Sequence, residues 1–207
     1  LELGGVQAAN SYVKINLSLF GLYPRDKAPT IPPELMLLGN IIYEMSSWTR
    51  AIVIPLSVLH AANPNRPVPE GFTLQEIFKP GVPLEFKSGA SFFSWKKFFY
   101  VGDSVLKWWD RWHLPSLRRQ SIELAEKWVL ERFEHSEGLA AIYPPMMYSV
   151  MMLELRGYPE NHPARVEAMK QFTRLMVDEP ERPLFFQPCF SVVWDTAIAA
   201  FALGESG

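Results

Sequence analysis

Eighteen prolines cut the 207 residues into apolar segments of helical length, and this punctuation constrains the fold more than any other feature. Proline lacks an N–H and has a fixed φ, so it readily opens a helix and seldom continues one. Between the prolines, apolar residues recur every three or four positions, the period of an α-helix. Val6, Ala9, Val13, Leu17 and Phe20 set that period for a helix over Val6–Leu22. Pro24, Pro29, Pro32 and Pro33 then impose a loop, and Pro33 opens a short turn to Leu38. Ser46 or Ser47 caps a helix running to His60, which Pro55 should bend. Thr73–Lys79 reads as one or two turns. Further helices are predicted over Phe92–Trp112, Pro115–His135, Pro144–Leu155, His162–Val177 and Val192–Leu203. No segment alternates as a strand does. The expected class is all-α, with helices of roughly 12–20 residues packed as an α/α toroid or bundle. A strict repeat period is absent, which argues against an extended solenoid.

Several kinds of chemistry lack their residues. Hydrophobic residues make up 48% and charged residues 20%, the balance of a folded chain with a core. The net charge of −2 gives no reason to expect nucleic acid as a partner. Cys189 is the single cysteine, so no intrachain disulfide framework can form. His60, His113, His135 and His162 are scattered, and none sits at metal-ligand spacing with another donor. There is no phosphate-binding glycine loop and no dinucleotide fingerprint, so neither a metal nor a cofactor is expected. The longest apolar runs, such as Ala51–Leu59, are too short to span a bilayer. A membrane would be met from its surface. The opening Leu1–Gly5 and the closing Phe201–Gly207 read as cut points within a longer chain.

Phe92–His113 is the most distinctive segment. At about 100° per residue, Trp95, Phe98, Phe99, Val101, Val105, Leu106, Trp108, Trp109 and Trp112 fall on one half of the helix. Lys96, Asp103, Ser104, Lys107, Asp110 and Arg111 fall on the other half. A core helix shows the same separation, but usually with Leu, Ile and Ala on its apolar side. Trp favours the membrane–water interface, and Lys and Arg can reach headgroups. Trp95, Phe98, Phe99, Trp109 and Trp112 are therefore the candidates for membrane contact. Core packing or a protein partner is the alternative.

Four segments carry a family resemblance. Ile42–Arg50 reads Ile-Tyr-Glu-Met-Ser-Ser-Trp-Thr-Arg, and Pro29–Leu38 precedes it. Gly138–Pro145 reads Gly-Leu-Ala-Ala-Ile-Tyr-Pro-Pro. Phe186–Thr196 reads Phe-Gln-Pro-Cys-Phe-Ser-Val-Val-Trp-Asp-Thr. In order and approximate spacing these resemble segments of bacterial squalene–hopene cyclases. The resemblance implies an incomplete α/α-barrel of the terpene cyclase type. It places residues 1–188 in most of the family's inserted barrel domain, and 189–207 at the start of the return to the acid-bearing barrel. The chain departs from the pattern in places. Val192 stands where the family has proline, and the loop from Leu38 to Tyr43 is a few residues short. The Gln-Trp repeat motif is degenerate at Trp128–Gly138, with Phe133 at its Gln position and its closing Trp absent. The family's Asp-x-Asp-Asp acid motif does not occur in the 207 residues.

The implied reaction converts squalene to pentacyclic hopanoids by protonating an alkene and passing carbocations along the folded polyene. Aromatic faces stabilise cations without trapping them, and a shaped wall holds the flexible chain ready to react. By resemblance, Trp48, Ile142, Tyr143, Pro144 and Trp194 are wall candidates, and no catalytic acid is expected in this chain. Each Trp could equally be core, and Ile142–Pro144 could be a plain helix-opening turn. Asp195 is expected to make a structural hydrogen bond, Cys189 to act as a small buried hydrophobe, and the Met146–Met152 cluster to fill core. The chain by itself is expected to be inactive. The implied partners are squalene, the cytoplasmic face of a bacterial inner membrane, the remaining barrel and a second copy of the chain. An oxidosqualene-type cyclase and a non-enzymatic membrane-docking helical domain are the competing functions.

Overall fold

The computed structural model describes residues 2–84, 94–133 and 136–207. Its helices are α1 Ser11–Leu19, α2 Ile41–Glu44, α3 Ser47–Ala62, α4 Trp95–Trp112, α5 Pro115–Phe133, α6 Tyr143–Leu155, α7 Pro163–Thr173 and α8 Val192–Ser206. Among the described residues the only strands are β1 Met176–Val177 and β2 Phe185–Phe186, paired antiparallel. The fold is all-α. Prolines open α5, α6 and α7 within their first two positions, and α3 runs on through Pro55.

Two expected helices are shorter than their periodicity suggests. Val6–Leu22 is not one helix. Val6–Ala8 form a 3₁₀ turn, and α1 starts afresh at Ser11 because the Asn10 side chain accepts the Val13 N–H at 3.0 Å. A capping side chain satisfies an orphan amide that a continuous helix would have used. The second is His162–Val177, which ends as a helix at Thr173. Beyond it the backbone exchanges helical bonds for a ribbon, and the Gln187 N–H donates to the Leu175 carbonyl at 2.9 Å. The helix expected from Phe92 is described from Trp95, capped by Ser94, whose hydroxyl accepts the Lys97 N–H at 3.2 Å. Phe92 and His135 lie outside the described residues.

The chain forms two compact units. The first comprises residues 1–32 and 60–118. Val6, Tyr23 and Ala28 make its small core, with Ile15, Leu17, Phe78 and Leu84 packed around them. Lys14 is buried in it and donates Nζ to the Gln7 carbonyl at 2.9 Å.

The second unit comprises residues 33–59 and 119–207. Its core joins Ile42, Ile54 and Val58 to Trp128, Val129, Phe133, Leu139, Met152 and Leu153. Trp128 is 8% exposed, and the Arg132 guanidinium lies 4.1 Å above its ring. Met146 and Met152 are fully packed, as their sequence cluster suggests. Glu126 on α5 holds Arg156 Nε at 2.8 Å and bonds Tyr158, whose phenol is pushed up to about 12 by that bond.

Candidate functional site

Helix α4 in the first unit is an amphipathic helix turned inside out. Its polar side is the side that makes the contacts. Asp103 accepts the Thr30 N–H at 2.8 Å and pairs with Lys107 at 2.7 Å. Asp110 meets His60 Nε2 at 3.2 Å and Arg118 Nη2 at 2.9 Å, while Arg25 donates to the His60 carbonyl at 2.6 Å. Its apolar side faces outward. Trp95, Phe98, Phe99, Val101, Val105, Trp108 and Trp112 are each 56–78% exposed. Trp95, Phe98 and Phe99 pack on one another with ring centroids 5.6–6.4 Å apart. Large exposed apolar patches mark docking surfaces on folded proteins. Trp109 departs from this row. It is half-buried, and its indole N–H is covered without an acceptor among the described residues. Trp108 takes its place on the exposed face.

The Asp110 junction also carries a pH dependence. Burial holds the His60 imidazole below its ordinary value, against the opposing pull of the Asp110 carboxylate. A carboxylate only accepts, so the Nε2 that meets it carries the proton of the neutral ring. The fold therefore favours neutral His60, and the unfolded chain takes up the proton first as the pH falls. Stability from this group is complete above the ordinary value of 6.5 and declines as the pH drops below it. The thermal midpoint is expected to fall between about pH 7.5 and pH 5.5, and to fall less in His60→Gln. An equal fall in the variant would assign the effect to other groups.

The wall candidates all lie in the second unit. Two of the resembling segments are stitched together there. Ile142 forms an antiparallel bridge with Cys189, the Tyr143 N–H donates to the Pro188 carbonyl at 2.8 Å, and the Phe190 N–H donates to the Ala141 carbonyl at 2.9 Å. Cys189 is thus half-buried in a bridge and is not a core residue. The Tyr143 ring lies 5.5 Å from Phe172 and 6.3 Å from Phe186, in an aromatic group that sequence reading missed. Nothing local links residues so far apart in sequence. Ile142, Tyr143 and Pro144 are half-buried, whereas Trp48 is 63% and Trp194 68% exposed. No described contact joins Trp48 to the Tyr143 group. Asp195 accepts from the Ser191 hydroxyl at 2.7 Å, the structural bond expected of it. Helix α8 buries none of its residues, although Val193, Phe201 and Leu203 are as apolar as any core.

Residues 1–181 match the family model described as the squalene-hopene cyclase N-terminal domain. The chain belongs to the squalene–hopene cyclase family. A squalene–hopene cyclase of Zymomonas mobilis is 37% identical over 217 residues, covering 100% of this chain and 33% of the relative. A squalene–hopene cyclase of Bradyrhizobium diazoefficiens is 32% identical over 211 residues, covering 99% and 32%. A dammaradiene synthase of Dryopteris crassirhizoma is 31% identical over 212 residues, covering 100% and 31%. The chain spans about a third of the length of these curated relatives. The family match takes in Ile42–Arg50 and Gly138–Pro145, and the similarity to the Zymomonas mobilis cyclase extends over the whole chain, Phe186–Thr196 included.

Proposed function

We propose that this chain is part of a squalene–hopene cyclase, which folds squalene in an apolar α/α-barrel cavity and cyclises it to pentacyclic hopanoids. In this reading the described residues supply cavity wall and membrane contact, and the protonating acid lies elsewhere in the protein. The chain alone is therefore inactive. One observation carries the reading. The stitch between Ala141–Tyr143 and Pro188–Phe190 holds Tyr143, flanked in sequence by Ile142 and Pro144, against Phe172 and Phe186, and leads directly into the exposed α8 with Trp194. An aromatic, lone-pair-poor surface of this kind stabilises cations and offers them no nucleophile. In the same reading the protein is monotopic on the cytoplasmic face of the bacterial inner membrane and draws its lipid-soluble substrate from the bilayer, and the exposed apolar row of α4 supports the membrane contact. A docking module without enzymatic activity would need only α4. The aromatic group around Tyr143 and the family membership favour the cyclase.

The test compares two tryptophans in the full-length protein. Trp194→Ala is expected to change the amount and distribution of cyclised products more than Trp128→Ala does, since Trp194 stands clear of the core in which Trp128 is packed. Trp128→Ala is expected to melt earlier, with a stability loss of about 3–5 kcal/mol, and to keep its product distribution while folded. Normal products from Trp194→Ala would remove it from the wall.

A further inference from the structure

The corner between α2 and α3 lies within the second unit and carries Trp48, one of the wall candidates, on the first turn of α3. We propose that Arg50 is the positioning residue of Trp48. Its side chain fixes this corner, and the corner sets where the indole points. This rests on the reading of Trp48 as cavity wall.

The chain turns sharply here. Helix α2 ends at Glu44, and Met45 is extended, with φ −75° and ψ 152°. The last carbonyls of a helix have no partner within it. Arg50 supplies one. Its Nη1 donates to the Tyr43 carbonyl at 3.1 Å and to the Met45 carbonyl at 2.6 Å. The guanidinium carbon also lies 5.1 Å from the centre of the Tyr43 ring. On the other side of the corner, the Arg50 N–H donates to the Ser46 carbonyl at 3.0 Å in the first turn of α3. The Ser46 hydroxyl accepts the Thr49 N–H at 3.2 Å and caps that turn. Arg50 is therefore bonded to one side of the corner by its backbone and to the other by its side chain. A planar guanidinium can donate and stack at once, which an ammonium cannot.

Trp48 depends on such a clamp more than a core residue would. A buried side chain is aimed by close-packed neighbours on every side. The Trp48 indole is 63% exposed, so its direction comes from the backbone that carries it. Ile42, Ala51 and Ile54 anchor the same stretch of chain in the core. The fold therefore persists without the clamp, while the corner between the two helices is free to relax. Misplacing a group by about 1 Å can cost about a hundredfold in rate. An aromatic face moved away from a developing cation no longer stabilises it, and the cascade stops at fewer rings.

The test is a double-mutant comparison in the full-length protein, reading turnover and product distribution per folded enzyme. Arg50→Ala is expected to lower turnover about tenfold and to raise the share of incompletely cyclised products, the same ones that Trp48→Ala releases. The double variant should match Trp48→Ala alone, because Arg50 acts through the indole. Parent products from Arg50→Ala, with only an earlier melt, would make Arg50 a purely structural residue and overturn the inference. So would losses that multiply in the double variant. Parent products from Trp48→Ala would overturn the wall reading of Trp48, and the inference with it. If Arg50→Ala does not fold, Arg50→Lys keeps the charge and loses the flat face over Tyr43, and it is expected to shift products in the same direction. Parent products from that variant would overturn the inference as well.

Discussion

Replacing Trp108 and Trp112 together by serine is expected to release the full-length protein from lipid vesicles and leave its thermal midpoint unchanged. Both side chains are more than 60% exposed, so little native packing is lost with them. Burial of a large apolar side chain is worth about 1.5–3 kcal/mol. Two inserted indoles would then contribute about 3–6 kcal/mol, or at least a hundredfold in partitioning. Turnover of squalene delivered in vesicles should fall with binding, while turnover of squalene in detergent should persist. Trp109→Ser provides the contrast. That residue is half-buried, so its loss should appear as an earlier melt and not as release. Unchanged sedimentation of the Trp108 and Trp112 pair would sink the membrane face. Early melting of that pair would show α4 to be covered in the full protein.

Gly138→Ala is expected to cost about 2–5 kcal/mol of stability, from left-handed strain and overpacking together. The chain leaves α5 and reaches Ile142 through five consecutive residues with positive φ: Glu137, Gly138, Leu139, Ala140 and Ala141, at 48, 77, 75, 69 and 53°. Only glycine takes this conformation without Cβ strain. A methyl group at Gly138 would also stand 2.5 Å from Gln171 Cβ and 3.1 Å from Met146 Cε. The first contact is near the root of a side chain on α7, so the helix itself has to move. Leu139, 1% exposed, anchors the turn in the core, and the Ser136 hydroxyl accepts its N–H at 3.1 Å. The turn sets the position of Ile142, Tyr143 and Pro144. A denaturant titration of the full-length protein measures the loss. A change below about 0.5 kcal/mol would mean the chain does not pass through this turn.

The degenerate repeat motif at Trp128–Gly138 gives that turn its context. There Phe133 stands at the motif's Gln position and the closing Trp is absent. Trp128 and Phe133 are both packed in the core of the second unit, and the chain after them makes its left-handed reversal in place of the motif's missing close. The reversal could not be read from Leu139, Ala140 and Ala141, because none of these residue types favours positive φ. Tertiary packing of Leu139 and the stitch to Pro188 hold the backbone where local preference would not.

The all-α class, the starts of α5, α6 and α7, and the two-sided character of α4 were all determined by the sequence. Proline geometry and the helical period are local properties, and they survive any tertiary arrangement. The end of α7 was not determined, because Met176 and Val177 suit a helix as well as a ribbon until Phe185 and Phe186 arrive beside them. Nor was the gathering of Tyr143, Phe172 and Phe186, which depends on long-range chain return. The orientation of α4 is the clearest case. Apolar residues at helical spacing have the same period whether that side is buried or exposed. Trp108 and Trp109 are neighbours on one apolar half, and no pattern says which of them faces out. Thr30, His60 and Arg118 decide it, because each takes a carboxylate on the polar side and so turns the apolar side outward.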